Sequence, residues 1–168
     1  TESPDRVDLE FLDALYRVGG QGFFDIVGIQ LDGGTTSPDD RRVSAGRHNF
    51  SRAVLTRELM VRRDDGGTPI WATSFGWART AETSASEQAE FVVRALERSW
   101  VEWPWMGLMF QWAFLAPPGS GAEAYALVQA DGSATPLYRR LISSELQTRA
   151  LREADTGFTP MDAGSVQY

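Results

Sequence analysis

The chain has no cysteine and a single histidine among its 168 residues. The first absence excludes disulfides and thiolate metal sites and leaves the redox compartment open. The second means that His48 cannot build a histidine-based zinc site alone, so no metal or other cofactor is expected. Basic charge is also short. The balance of 16 Lys and Arg against 23 Asp and Glu gives a formal charge of −7 and a pI of about 4.7. Nucleic acid is therefore not an expected partner, because phosphate contacts need a basic face. The densest basic cluster (Arg41, Arg42, Arg47, Arg52) is interleaved with Asp39, Asp40 and His48 and reads as a solvated mixed-charge loop. Long apolar runs are missing as well. A membrane helix needs roughly 18 apolar residues, and the longest candidate, Trp103 to Pro118, is shorter and broken by Pro104, Gln111 and Pro117. No transmembrane segment is expected. No secretory signal is present, and a start at Thr1 rather than Met reads as a processed, trimmed or excerpted chain.

What is present is a globular composition, 42% hydrophobic and 23% charged. The length suits one domain but falls short of the about 250 residues of a complete α/β barrel. Six tryptophans are many for this length, and five of them (Trp71, Trp77, Trp103, Trp105, Trp112) fall in two short windows. Such rings either fill a core or stack their flat faces on sugar C–H surfaces.

Hydrophobic periodicity orders the chain. Residues 3–18 predict a helix: Ser3-Pro4 offers a cap and a first-turn proline, Val7, Phe11, Leu12, Leu15 and Tyr16 recur at helical spacing, and Gly19-Gly20 stops the pattern. Residues 24–31 are a nearly continuous apolar run, the mark of a strand buried on both faces, ending in Asp32-Gly33-Gly34. A polar loop over 32–49 precedes a second helix, 51–63, with Val54, Leu55, Leu59 and Met60 on one face. A second buried strand spans 69–75. A third helix spans 84–100, opened by Ser84 and Glu87 as a capping box and striped by Phe91, Val92, Ala95 and Leu96. The last strand is 106–114. A Pro/Gly/Ser/Ala loop over 117–124, a turn at Asp131-Gly132 and a helix over 136–149 follow. Strands alternating with helices predict an α/β fold with a parallel sheet. No glycine-rich nucleotide fingerprint lies at a strand–helix junction. Residues 1–150 therefore form the expected domain, and residues 151–168 an aperiodic polar tail that lies along a neighbour.

The stretch Pro69-Ile70-Trp71-Ala72-Thr73-Ser74-Phe75-Gly76-Trp77 resembles the seventh strand of retaining glycoside hydrolases built on the (β/α)₈ barrel, the clan of cellulases and β-xylosidases. In that clan this strand commonly reads P-[IV]-W-[AIV]-T-E-[FY]-G-W, with glutamate as nucleophile where this chain has Ser74. Ser86-Glu87-Gln88-Ala89-Glu90 resembles the start of the helix that follows. Met109-Phe110-Gln111-Trp112 is similar to the eighth strand, with Trp112 at the place of the aromatic floor of the −1 sugar subsite. Asp25 to Asp32 resembles the sixth strand, with Gln30 where a histidine stands and Asp32 where a tyrosine stands. The resemblance covers roughly residues 5–145 and implies the C-terminal half of a (β/α)₈ barrel: three parallel strands and about four helices, with the first five strands upstream of Thr1.

Retaining glycosidases need two carboxyl groups about 5–5.5 Å apart. The resemblance places the acid/base glutamate on a fourth strand that this chain lacks, and the nucleophile at Ser74. A hydroxyl without an identified base cannot replace an anionic carboxylate beside an oxocarbenium-like transition state. Asp32, at the C-terminal end of a predicted strand where barrel active sites lie, is the best substitute carboxylate; the simpler reading, which we favour, is that Asp32-Gly33-Gly34 is a turn. Ser74 is either an engineered replacement or a natural loss, and the departures at Gln30 and Asp32 favour natural loss.

The expected function is a catalytically silent, glycoside-hydrolase-like segment with a carbohydrate-binding or structural role, and with Trp112, Trp77, Gln30, Asp32 and Ser74 as substrate-binding residues. The alternatives are an active fragment acting on a β-linked glycan and an assembly subunit without sugar binding. The expected partner is a chain or segment supplying the remaining strands, so the chain is not expected to be a free monomer. The expected location is extracellular or at the cell surface.

Overall fold

The computed structural model describes residues 7–44 and 46–143. Helix α1 (Val7–Arg17) leads to β1 (Val27–Asp32), α2 (Ala53–Arg62), β2 (Ile70–Gly76), α3 (Ala85–Glu102), β3 (Met106–Gln111) and α4 (Pro136–Ser143). The strands form one parallel sheet in the order β1-β2-β3. This is the expected α/β alternation, three parallel strands with four helices, and it is consistent with part of a (β/α)₈ barrel. The Ser3-Pro4 cap, the end of the last helix and the tail lie outside the described residues.

Local chemistry sets most boundaries. Ser84 caps α3: its hydroxyl accepts from the Glu87 amide while the Glu87 carboxylate accepts from the Ser84 amide. The Ser84 hydroxyl also donates to the Glu87 carboxylate at 2.7 Å, and this bond together with that from the Ser84 amide lowers the Glu87 pKa. The helix then runs two residues past its expected end, to Glu102, whose carboxylate binds Arg98 one turn back. A 3₁₀ turn over Phe50–Arg52 precedes α2. Strand β3 stops at Gln111 instead of reaching residue 114, because the chain leaves the sheet there to pair Ala113 and Phe114 with Leu127 and Val128. Thr135 starts α4 by accepting from the Tyr138 amide.

One face of the sheet carries the helices. Leu31, Ala72 and Phe75 pack with Phe50 and Ala53 of α2 and its preceding turn, Ala89, Val92 and Ala95 of α3, and Leu137 of α4. A second cluster joins Leu12 and Tyr16 of α1 to Leu59, Met60 and Ile70. Tyr16 donates to the buried Asp65 carboxylate at 2.6 Å, and Thr68 donates to its other oxygen. Phe11, expected on the buried stripe of α1, is 68% exposed. The tryptophans sort by depth. Trp77, Phe50, Trp103 and Trp105 form a continuous aromatic column with centroid spacings of 5.7, 4.7 and 5.2 Å. Arg98 lies 5.3 Å from the Trp103 centroid, and Arg57 lies 5.9 Å from that of Trp105.

The opposite face differs from expectation. The runs over β1 and β3 predict burial on both sides, yet Gly28, Gln30 and Asp32 alternate outward from β1, and Leu108, Phe110 and Trp112 from β3. Trp71 and Phe110 share this face at a 6.2 Å ring separation. Parallel sheets are normally covered on both faces; here no described helix covers the second one, so its apolar side chains remain open to solvent.

Candidate functional site

The C-terminal ends of the three strands bring Gln30, Asp32, Ser74 and Trp112 to one rim of the sheet. Gln30 pairs with Ser74, and Asp32 with Gly76. The Gly33 amide donates to the Gly76 carbonyl and the Trp112 amide to the Phe75 carbonyl, each at 3.0 Å. The register between β1 and β2 skips Thr73, since Ile29 pairs with Ala72 and Gln30 with Ser74. This bulge is the kind that re-aims side chains at strand ends. Thr73 stabilises it by donating to the Ile29 carbonyl at 3.0 Å. Ser74 thereby sits beside Gln30 on the open side, while Phe75 returns to the core.

Gly76 is constrained twice. Its φ of +153° suits glycine, and an added Cβ would lie 3.0 Å from the Gln111 side-chain amide. That amide donates to the Trp112 carbonyl at 2.6 Å, fixing the backbone where Trp112 leaves the strand. Trp112 itself is half exposed, its ring free on the rim.

Trp77 is a correction. It was expected on the sugar-binding surface, but its side chain is fully buried between Phe50 and Phe91, and its indole N–H donates to the Thr36 carbonyl at 2.8 Å. A ring with no accessible face cannot stack on a ligand.

Asp32 has two hydrogen-bond partners, and one of them makes the expected turn. Its Oδ1 accepts from the Gly34 amide at 2.7 Å, the bond of a tight turn. Its Oδ2 accepts from the hydroxyl of Tyr125 at 2.9 Å, a partner 93 residues away that a turn does not require. Burial and the Asp32 carboxylate push the Tyr125 hydroxyl up to about 12. Tyr125 is a rim residue that sequence reasoning missed; it follows a loop of Pro, Gly, Ser and Ala, and no periodicity marks it.

The loop carrying Tyr125 is held by buried polar groups. Gln88, fully buried in α3, donates to the carbonyls of Trp77 at 2.6 Å and Ala124 at 2.8 Å. Arg79 donates to the carbonyls of Glu123 and Ala126 and to Gln88 Oε1. Desolvation lowers the Arg79 pKa. These bonds connect the end of β2 to the loop after β3.

Ser74 has no side-chain hydrogen bond to a carboxylate or imidazole among the described residues, so nothing described activates it as a nucleophile. Among those residues no group of three or more His, Cys, Asp or Glu is placed to hold a metal ion, and no helix is long and apolar enough to cross a membrane. The basic cluster is largely neutralised by its neighbours. Arg42 and Arg47 both bind Asp40, Arg41 binds Glu102 and Arg52 binds Asp8. These cations hold Asp40 far below the ordinary carboxylate range and Glu102 down at about 2. A groove of about 660 Å³ runs along the free edge of β1, walled by Phe11, Leu15 and Phe24.

No protein-family model and no curated protein matches the chain. Among solved structures it is similar to a family 39 glycoside hydrolase from the gut symbiont Bacteroides cellulosilyticus WH2, with a TM-score of 0.61 and 19% identity over 81% of this chain. The chain spans 30% of the length of that structure. The likeness is one of fold.

Proposed function

We propose that this chain is the C-terminal portion of a glycoside-hydrolase-like barrel whose strand ends bind carbohydrate without hydrolysing it. The observation that carries this reading is the rim itself. It presents an exposed indole at Trp112 and polar groups at Gln30, Asp32 and Ser74, but no carboxylate at the nucleophile position. An exposed ring next to hydrogen-bonding groups is what a sugar needs from a surface. Retaining hydrolysis needs two carboxyl groups, and Ser74 supplies neither. Titration with a neutral β-linked oligosaccharide, followed by tryptophan fluorescence, tests the binding. Saturable quenching that is lost in Trp112→Ala is expected, and no response in the native chain would refute it. Incubation with a 2-fluoro glycoside tests the silence, since a covalent adduct on this chain would establish an active hydrolase instead.

The open face and the β1 groove favour a partner of defined kind, a chain or segment that supplies further parallel strands. Trp71, Leu108 and Phe110 line a sheet surface of the sort that barrels fill with side chains. A chain with no sugar response whose open face is covered in a complex would be an assembly subunit. A polysaccharide ligand also implies a location outside the cell or on its surface, which fractionation of the source cells checks.

A further inference from the structure

Asp32 and Tyr125 together do more than close a turn. Asp32 ends β1 on the open side, two residues after Gln30, with buried Leu31 between them facing the helices. Tyr125 follows β3, and the sheet order is β1-β2-β3. The Tyr125–Asp32 hydrogen bond therefore crosses the end of the central strand and links the two outer ones. The backbone leading to Tyr125 is held by Gln88, which donates to the Ala124 carbonyl at 2.8 Å, and by Arg79, which donates to that of Glu123, so the phenol is delivered by a braced loop.

A carboxylate has about four acceptor positions. At Asp32 one is taken by the Gly34 amide and one by the Tyr125 hydroxyl, and the residue remains exposed. The orientation of the group is thus set while acceptor capacity stays open toward the rim. Charged acceptors make the stronger hydrogen bonds with neutral donors such as hydroxyls, whereas a second carboxylate brought to the same place meets like charge. The Arg52 side chain, also on the β1 groove, is committed to Asp8 at 2.6 Å.

We infer that Tyr125 is a positioning residue that aims the Asp32 carboxylate at neighbouring hydroxyls of an uncharged sugar, and that the rim selects neutral over acidic glycans. This rests on the carbohydrate-binding reading above and adds its ligand class. Asp32 and Trp112 flank the same central strand end, so their backbones are two strand spacings apart, about 10 Å. An oligosaccharide spans that distance and contacts both.

The test uses the whole 168-residue chain, with xylohexaose as the neutral probe and an oligogalacturonide of similar length as the acidic one. Binding is followed by calorimetry, and each variant's thermal midpoint is recorded. The native chain is expected to bind the neutral probe at least about tenfold more tightly than the acidic one. Tyr125→Phe is expected to weaken neutral binding by about three- to tenfold, on the scale of one ordinary intramolecular hydrogen bond. Asp32→Asn is expected to narrow the neutral-to-acidic ratio, a readout that a merely structural role would not move. Equal binding of the two probes by the native chain overturns the selectivity. Neutral binding unchanged in Tyr125→Phe overturns the positioning role, and either result leaves sugar binding itself standing. Binding of neither probe overturns the carbohydrate reading and this inference with it.

Discussion

Gly33 and Trp77 are in direct contact: a Cβ built on Gly33 would lie 1.8 Å from Trp77 Cε2 and 2.2 Å from its Nε1. The indole cannot retreat, because it is fully buried between Phe50 and Phe91 and tied to the Thr36 carbonyl. Gly33→Ala is therefore expected to destabilise the fold by about 1–3 kcal/mol or more through overpacking. A lowered thermal midpoint with an altered near-ultraviolet circular dichroism spectrum checks it.

Arg98 joins three kinds of neighbour. It binds Glu102 and Ser51 and the Pro38 carbonyl, and its guanidinium lies over the Phe50 and Trp103 rings while the residue itself is buried. Arg98→Met keeps much of the apolar volume and removes every donor. A loss of about 2 kcal/mol or more is expected, from stranded acceptors and lost cation–π contact. Urea denaturation measures it, and an unchanged midpoint would sink the assignment.

Tyr16→Phe isolates one buried hydrogen bond. The variant leaves Asp65 with Thr68 but without the phenol donor, at an expected cost of about 1–3 kcal/mol. The control Tyr138→Phe, whose ring packs on Phe114 at the partly exposed surface, is expected to cost well under that.

The two shifted tyrosines set an alkaline limit. Both hydroxyls titrate above their ordinary value of 10.0, Tyr125 at about 12 and Tyr16 higher still. A folded pKa raised above the unfolded one stabilises fully below the unfolded value and is lost as pH rises through the folded one. Stability is thus expected to decline from about pH 10 toward pH 12, with Tyr16→Phe removing part of the slope. On the acid side, Glu102 stands at about 2 against an ordinary 4.5. Its contribution, present above 4.5, is lost as pH falls toward 2. Thermal midpoints across both ranges decide this, and a flat profile above pH 10 would contradict the alkaline half.

The open sheet face is expected to make the isolated chain self-associate, as exposed apolar patches do. Leu108→Lys and Phe110→Lys replace half-exposed side chains, so a stability change within about 0.5 kcal/mol is expected together with a larger monomer fraction. Sedimentation velocity at micromolar concentration distinguishes the outcomes. A native chain that already sediments as one compact monomer would refute the premise.

The elements were legible where chemistry is local. Ser84 and Glu87 announce the start of α3 because a capping box lies within four residues. The rim was legible in part, since strand ends can be located and Gln30, Asp32, Ser74 and Trp112 do gather there. Trp77 was misplaced for a physical reason. The bulge at Thr73 shifts the phase of the strand by one residue, so Phe75 and, two residues on, Trp77 face the core, where the indole packs under Gly33.

By itself the sequence determined the alternation of helices and strands and the place of Ser74 near a strand end, because hydrophobic period and residue identity are properties of short windows. Only the tertiary structure decided which tryptophans are core and which are surface, and that one sheet face stays open. It alone paired Asp32 with Tyr125. Those outcomes depend on loops crossing between strands and on burial summed over distant residues, which no local spacing encodes.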